Sequence, residues 1–240
     1  MALRPNSQGV WLNFGNALIN NGKLDEAIAA NRQAIHLQPT YAQAHTNLGI
    51  ALLETGQVDE AIASLREALR LKPDLFNAAG GLGQALVKKG LWNEAIASFE
   101  RAIRLRKDCV DTHNELAWLL ATCPDAKVRD PSRAVQLAEQ TVKLAPKQGG
   151  FWNTLGVAQY RAGDWKSAAE ALNKSMELGK GGDSNDFYFL AMAHWQLGNK
   201  VEARQWYDRA VEWMEKNEPN NEELHSIRAE AAELFGVNEK

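Results

Sequence analysis

The sequence has little cysteine, no surplus of positive charge and no long apolar run, and each shortage removes a class of function. Cys109 and Cys123 are the only cysteines among 240 residues. They form no CxxC pair and no ligand cluster, so both read as reduced thiols rather than as a disulfide framework or a zinc site. Lys and Arg total 27 against 30 Asp and Glu, a formal charge of -3, and the imbalance falls after Leu120. Nucleic-acid binding calls for a basic surplus or stripe, so no nucleic acid is expected. No apolar run approaches the roughly 20 residues that cross a bilayer, and Met1 to Ser7 lack a charged-then-apolar export pattern. The expectation is a soluble, cytoplasmic protein that engages no membrane.

Catalytic signatures are missing as well. His36, His45, His113, His194 and His225 are scattered, with no HExxH helix and no GxSxG elbow. Cys109 and His113 share a helical spacing of four, but two ligands do not make a zinc site. Gly179, Gly181 and Gly182 follow no strand and precede no GK[ST], so they read as a lengthened turn. No catalytic residue, cofactor or metal is expected, and the chain does not read as an enzyme.

What is present is a period. Prolines at Pro5, Pro39 and Pro73 and glycines at Gly15, Gly49 and Gly83 both step by 34 residues, and a fixed step marks a repeat. Between them, apolar residues such as Ala61, Ile62, Leu65, Ala68 and Leu69 recur at helical spacing on one face. Each repeat reads as two helices. The first stops near Gly22, Gly56, Gly90, Gly163 or Gly198, where glycine supplies a left-handed turn. The second opens on carboxylates such as Asp25, Glu26, Asp59, Glu60 and Glu94, which oppose the positive end of the helix dipole. Pro39, Pro73 and Pro146 follow the second helix, which proline cannot continue.

These residues resemble the tetratricopeptide repeat family, whose signature is W-x2-L-G-x2-Y, then A-x3-F, then P. Trp11, Phe14, Gly15, Ala27 and Pro39 carry it in the first repeat, and His45, Leu48, Gly49, Ala61, Leu65 and Pro73 in the second. The third has Leu82, Gly83, Ala95 and Phe99, with Lys107 in place of proline. Trp152, Leu155, Gly156, Ala168 and Leu172 carry the fifth, and Phe187, Leu190, Ala191, Ala203 and Tyr207 the sixth. The resemblance implies an all-α, right-handed α-solenoid superhelix of about six antiparallel helix-turn-helix repeats plus a capping helix. The repeats are set at 8–41, 42–75, 76–109, 110–148, 149–183 and 184–217, with the cap at 222–235. The fourth carries an insert at 121–129, after which Asp130 and Pro131 look like an N-cap and first helical residue. Leu3, Arg4, Pro5 and Asn6 match the close of a repeat, which suggests a preceding repeat in a longer parent protein. The stripe Leu224, Ile227, Ala231 and Leu234 suits a terminal helix that covers the apolar face of the last repeat.

In this family the first helix of each pair lines a concave inner face, so the resemblance also implies groove positions. They hold Leu12, Asn13, Asn16, Asn20, Thr46, Asn47 and Glu54 in the first two repeats, and Gln84, Lys88, Asn114, Glu115 and Trp118 in the next two. Asn153, Tyr160, Arg161, Tyr188, Phe189, Met192 and Trp195 follow in the last two. An asparagine offers both donor and acceptor, so a row of them pairs with an extended peptide backbone whatever its sequence. Asn13 and Asn47, one period apart, are similar to the asparagine ladder of O-linked N-acetylglucosamine transferases, but Gly81, Glu115 and Thr154 end it. Asn16 and Asn47 match the asparagines of the chaperone carboxylate clamp, while Leu12, Asn77 and Gly81 replace its basic residues and remove the charge-assisted bonds. Tyr160, Tyr188, Phe189 and Trp195 are expected to form an apolar anchor patch. Trp152, Trp165, Trp206 and Trp213 fall at packing positions.

The expected function is a protein-interaction scaffold that takes a peptide or helix of a partner in its groove. The second half also resembles the tetratricopeptide tails of large bacterial multidomain proteins, some with serine/threonine kinase domains. That gives an alternative, a targeting or regulatory segment of a kinase or glycosyltransferase whose catalytic domain lies on another part of the polypeptide. Weak self-association through an end or an aromatic face is a third reading.

Overall fold

The computed structural model describes residues 7–179 and 181–236; the suggested repeat remnant at Leu3 to Asn6 lies outside them. Among the described residues there are thirteen α-helices and no strand. They are α1 (Gln8–Asn20), α2 (Leu24–Leu37), α3 (Ala42–Glu54), α4 (Val58–Leu71), α5 (Phe76–Lys88), α6 (Trp92–Leu105), α7 (Val110–Thr122), α8 (Pro131–Leu144), α9 (Gly149–Arg161), α10 (Trp165–Leu178), α11 (Ser184–Gln196), α12 (Lys200–Asn217) and α13 (Glu222–Phe235). They fall into two compact units, Met1–Glu115 and Leu116–Lys240, and α7 contributes residues to both.

Within each unit the pattern is local. In the first, α1 packs on α2, α3 on α4 and α5 on α6, and α2 also meets α3 and α4 meets α5. The turn inside a pair is made by a left-handed glycine, with φ of 70° at Gly22 and 80° at Gly56 in the first unit and 85° at Gly163 in the second. The next helix then starts on its carboxylates, Asp25 and Glu26 in α2 and Asp59 and Glu60 in α4. At the fourth repeat, Ala121 and Thr122 still belong to α7, so the added loop is 123–130. Asp130 Oδ1 accepts from the Arg133 backbone N–H at 3.0 Å and Pro131 sits in the first turn, which restarts α8.

The helices of the second, third and fifth pairs interlock through a glycine opposite a large side chain. A Cβ on Gly49 would lie 2.5 Å from Leu65 Cγ, on Gly83 2.6 Å from the Phe99 ring, and on Gly156 2.6 Å from Leu172 Cγ. Leu65, Phe99 and Leu172 are in turn fully enclosed. The large residue therefore fills the notch that the glycine leaves, and the two helices approach closely because neither needs to give way.

The first pair breaks this rule. Asn31 stands where Leu65 and Phe99 stand in the next two pairs, facing Gly15 at 2.6 Å from a virtual Cβ. It is completely buried. Its Nδ2 donates to the Ala27 carbonyl at 2.9 Å, but its Oδ1 has no partner. A buried acceptor left unpaired costs about 1–3 kcal/mol. Asn31→Leu, which restores the side chain found in the second pair, is expected to raise stability by about 1 kcal/mol or more. Urea unfolding of the variant beside the wild-type chain checks it, and an unchanged or lower midpoint refutes it.

Outer-face ion pairs repeat with the helices. Arg32 meets Glu60 at 2.9 Å and Arg66 meets Glu94 at 2.7 Å. All four side chains are more than half exposed, so each pair contributes little, roughly 0–1 kcal/mol.

Candidate functional site

The odd helices of the first unit present a polar wall. Asn13, Asn16, Asn20, Glu54, Gln84, Lys88 and Glu115 are exposed and Asn47 is half-buried. Asn47 Nδ2 donates to Asn16 Oδ1, so two of the predicted groove amides brace each other across α1 and α3. Leu12 and Thr46 are buried and do not belong to the wall; Thr46 Oγ1 is turned back onto the Ala42 carbonyl at 3.1 Å.

Two adjoining hollows open in this wall. One, of about 200 Å³, has Ile50, Phe76, Gly80, Gly81 and Phe99 in its floor and Gln84, Asp111 and Glu115 among its lining residues. The other, of about 320 Å³, is bounded by Leu53, Glu54, Gln84, Val87, Lys88 and Glu115. Gly81 occupies the place one period after Asn47, so the amide row ends in an absence of side chain. A Cβ on Gly80 would meet only Thr112 Oγ1, at 3.9 Å. Glu54, Asp111 and Glu115 give the pair an acidic rim that Lys88 offsets in part. The Glu115 carboxyl is pushed up chiefly by desolvation and then by the Asp111 charge, against the hydrogen bond from Gln84.

The second unit is different, because every groove residue expected there is already engaged. Tyr188 and Phe189 are completely buried, which corrects the expectation that they belong to an open aromatic patch. Tyr188 Oη donates to Met214 Sδ at 3.7 Å and its ring packs edge-on to Tyr207 at 5.8 Å. Phe189 lies edge-on to Tyr160 at 5.5 Å. Met192 is buried too. Asn153 Nδ2 donates to Asp186 Oδ1 at 2.9 Å. Burial pushes the Asp186 carboxyl up to about 6, against that bond from Asn153.

The remaining three groove residues are held by α13. Trp118 Nε1 of α7 donates to Glu223 Oε1 at 3.1 Å. Arg161 of α9 grips both oxygens of Glu230, with Nη2 to Oε2 at 2.6 Å. Trp195 of α11 stacks on Phe235, ring centroids 4.4 Å apart. Tyr160, beside the ion pair, has its hydroxyl pushed up to about 12, mainly by burial and then by the Glu230 charge. The terminal helix therefore runs along the inner faces of α7, α9 and α11, and packs chiefly on α11 rather than on the end of α12.

The cause is visible in α12. It has 18 residues where α8 and α10 have 14, and four residues at 1.5 Å each carry the chain about 6 Å further before it turns. Glu223, Glu230 and Phe235 were not among the predicted site residues. The one signal for them was the distance from Ala203 to Pro219, one turn longer than from Ala27 to Pro39. Trp152, Trp165, Trp206 and Trp213, predicted as packing residues, are half-buried, and Trp206 stacks on Phe187 at 5.7 Å.

Among the described residues, no group of three or more His, Cys, Asp or Glu is placed to hold a metal ion, and no helix is long and apolar enough to cross a membrane. Cys109 and Cys123 are free thiols.

A sequence model described as tetratricopeptide repeat matches residues 12–75, 126–183 and 187–222, well over half of the chain, and a second model of the same description matches 52–119. No curated protein matches the sequence. Among solved structures, PilF of Pseudomonas aeruginosa aligns with a TM-score of 0.70 at 16% identity, over 93% of this chain and 97% of that one. YrrB, described as a TPR protein with an unusual peptide-binding site, aligns with a TM-score of 0.59 at 20% identity, over 73% and 88%. A chain of the Cut9–Hcn1 assembly of the APC/C aligns with a TM-score of 0.71 at 19% identity, over 95% of this chain and 44% of that one. At such identities the likeness is one of fold.

Proposed function

The chain belongs to the tetratricopeptide repeat family, and on that premise we propose that it is an interaction scaffold whose inner wall in the first unit holds an extended segment of a partner protein. The observation that carries this is the contrast between the two units: Asn13, Asn16, Gln84 and Lys88 are exposed on the wall of the first, with Gln84 at both hollows of about 200 and 320 Å³ and Lys88 at the larger, while the corresponding residues of the second unit are engaged by other side chains. Amide side chains pair with peptide N–H and C=O groups of any sequence, which supplies affinity. Selectivity comes from the hollow over Gly80 and Gly81, sized for one apolar side chain, and from the acidic rim of Glu54, Asp111 and Glu115, which favours a neighbouring Lys or Arg. A free C-terminal carboxylate is disfavoured by the same rim.

Peptides selected from a random library on the full chain test this. The enriched sequences are expected to carry a basic residue close to an apolar one. Asn47→Ala and Gln84→Ala should each weaken them about fivefold, the worth of one neutral hydrogen bond. Gly80→Leu should abolish binding while leaving the helix intact, since leucine favours helix over glycine and the space above Gly80 is open. Selected peptides whose affinity survives Gly80→Leu and Gln84→Ala would sink the reading.

A further inference from the structure

We infer that the groove of the second unit is a separate docking site for an acidic amphipathic helix of a partner protein, and that α13 is its tethered, displaceable occupant. The groove selects by chemistry that α13 displays. Trp118 Nε1 reads the carboxylate of Glu223. Arg161 reads that of Glu230, seven residues or two helical turns later. Trp195 receives the ring of Phe235, five residues further. A helix with carboxylates seven apart and an aromatic beyond them meets all three anchors at once.

The hold on α13 suits exchange. Between the anchors its covered residues are Leu224, Ile227, Ala231 and Ala232, and two alanines bury little apolar area. Helices α9 and α10 interlock through Gly156 and Leu172 and are packed by α8 on one side and α11 on the other, so neither leaves without unfolding its pair. By contrast α13 has the groove on one side and exposed His225, Ser226, Ala229 and Glu233 on the other, and it joins α12 through the exposed residues Glu218, Pro219 and Asn220. A segment held on one face yields to any helix that makes the same contacts better, by an amount set by their difference in affinity. Selectivity against other helices comes from Arg161: its side chain is 12% exposed, so an occupant without a carboxylate leaves a desolvated guanidinium unpaired. This site does not depend on the wall of the first unit, and the two fail independently.

The test uses the full chain and a fluorescent synthetic peptide of residues 218–236 as the probe. Wild-type protein should bind it weakly, because the tethered helix competes at high effective concentration. Phe235→Ala in the chain removes the stack on Trp195 and should tighten probe binding about tenfold. Glu223→Ala, a milder change at an exposed position, should tighten it severalfold and covers the case in which Phe235→Ala disturbs folding. The probe carrying Glu230→Arg should bind none of them. Equal binding to wild-type and both loosened chains, or undiminished binding of the arginine probe, overturns the inference. A concentration-dependent dimer of the wild-type chain that the probe dissolves would assign the groove to a second copy of this chain and overturn the partner assignment.

Discussion

Phe99→Ala is expected to destabilise the first unit by about 3–5 kcal/mol, the cost of emptying a fully buried aromatic site. Phe99 is 1% exposed and its ring fills the notch left by Gly83. Gly83→Ala should itself cost about 1–3 kcal/mol, since the new methyl would sit 2.6 Å from a rigid ring. Together the two changes should cost clearly less than their sum, because the alanine at 83 enters space that the lost ring has vacated. Urea unfolding of the four proteins, followed by hydrogen exchange in α5 and α6 so that the first unit is read alone, closes the cycle. Strict additivity would show that glycine and phenylalanine do not share one contact.

Glu230→Leu should destabilise the second unit more than Arg161→Leu, by about 3 against about 1–2 kcal/mol. The asymmetry follows from burial. The Arg161 side chain is 12% exposed and Glu230 35%, and Arg161 Nε already lacks a hydrogen-bond partner. Removing the carboxylate strands a charge away from water, whereas removing the guanidinium leaves a carboxylate that water reaches. Hydrogen-exchange protection in α9 and α13 as urea is added reads the two variants. Equal losses, or a greater loss from Arg161→Leu, would mean that the pair is solvated and does little to fix α13.

The repeat architecture was legible because each of its parts is a local signal. A left-handed glycine after five of the six first helices, carboxylates at the start of the next in the first three pairs, and the Gly–Leu or Gly–Phe interlock all act over distances of one helix pair, and the 34-residue period writes them out several times. The placement of Asn13, Asn16, Asn47, Gln84 and Lys88 on first helices follows from the same period. Asn31 carries no such signal, because a buried polar substitution shows itself only as the residue that departs from the motif. The seat of α13 was not legible at all. Trp118 and Glu223 are 105 residues apart, and periodicity encodes contacts between neighbours, not a contact made once across three pairs. The apolar stripe of α13 predicted a covered face, and nothing in the stripe said what would cover it. Tyr188 and Phe189 were misplaced by the same gap: their positions within the repeat point inward, but inward is solvent only if no other segment lies there.

The added turn of α12 has an evolutionary reading. Met214, Glu215, Lys216 and Asn217 lengthen that helix beyond its counterparts, and a loss of twelve in-frame nucleotides would remove them while leaving Trp118, Arg161, Trp195 and every residue of α13 in the chain, at the loss of the contacts Tyr188–Met214 and Arg228–Glu215. Relatives separated by so small an indel would differ in whether this cleft is vacant or self-filled, while their repeat motifs stayed alike, so binding behaviour in such a lineage can change faster than any comparison of signature residues registers.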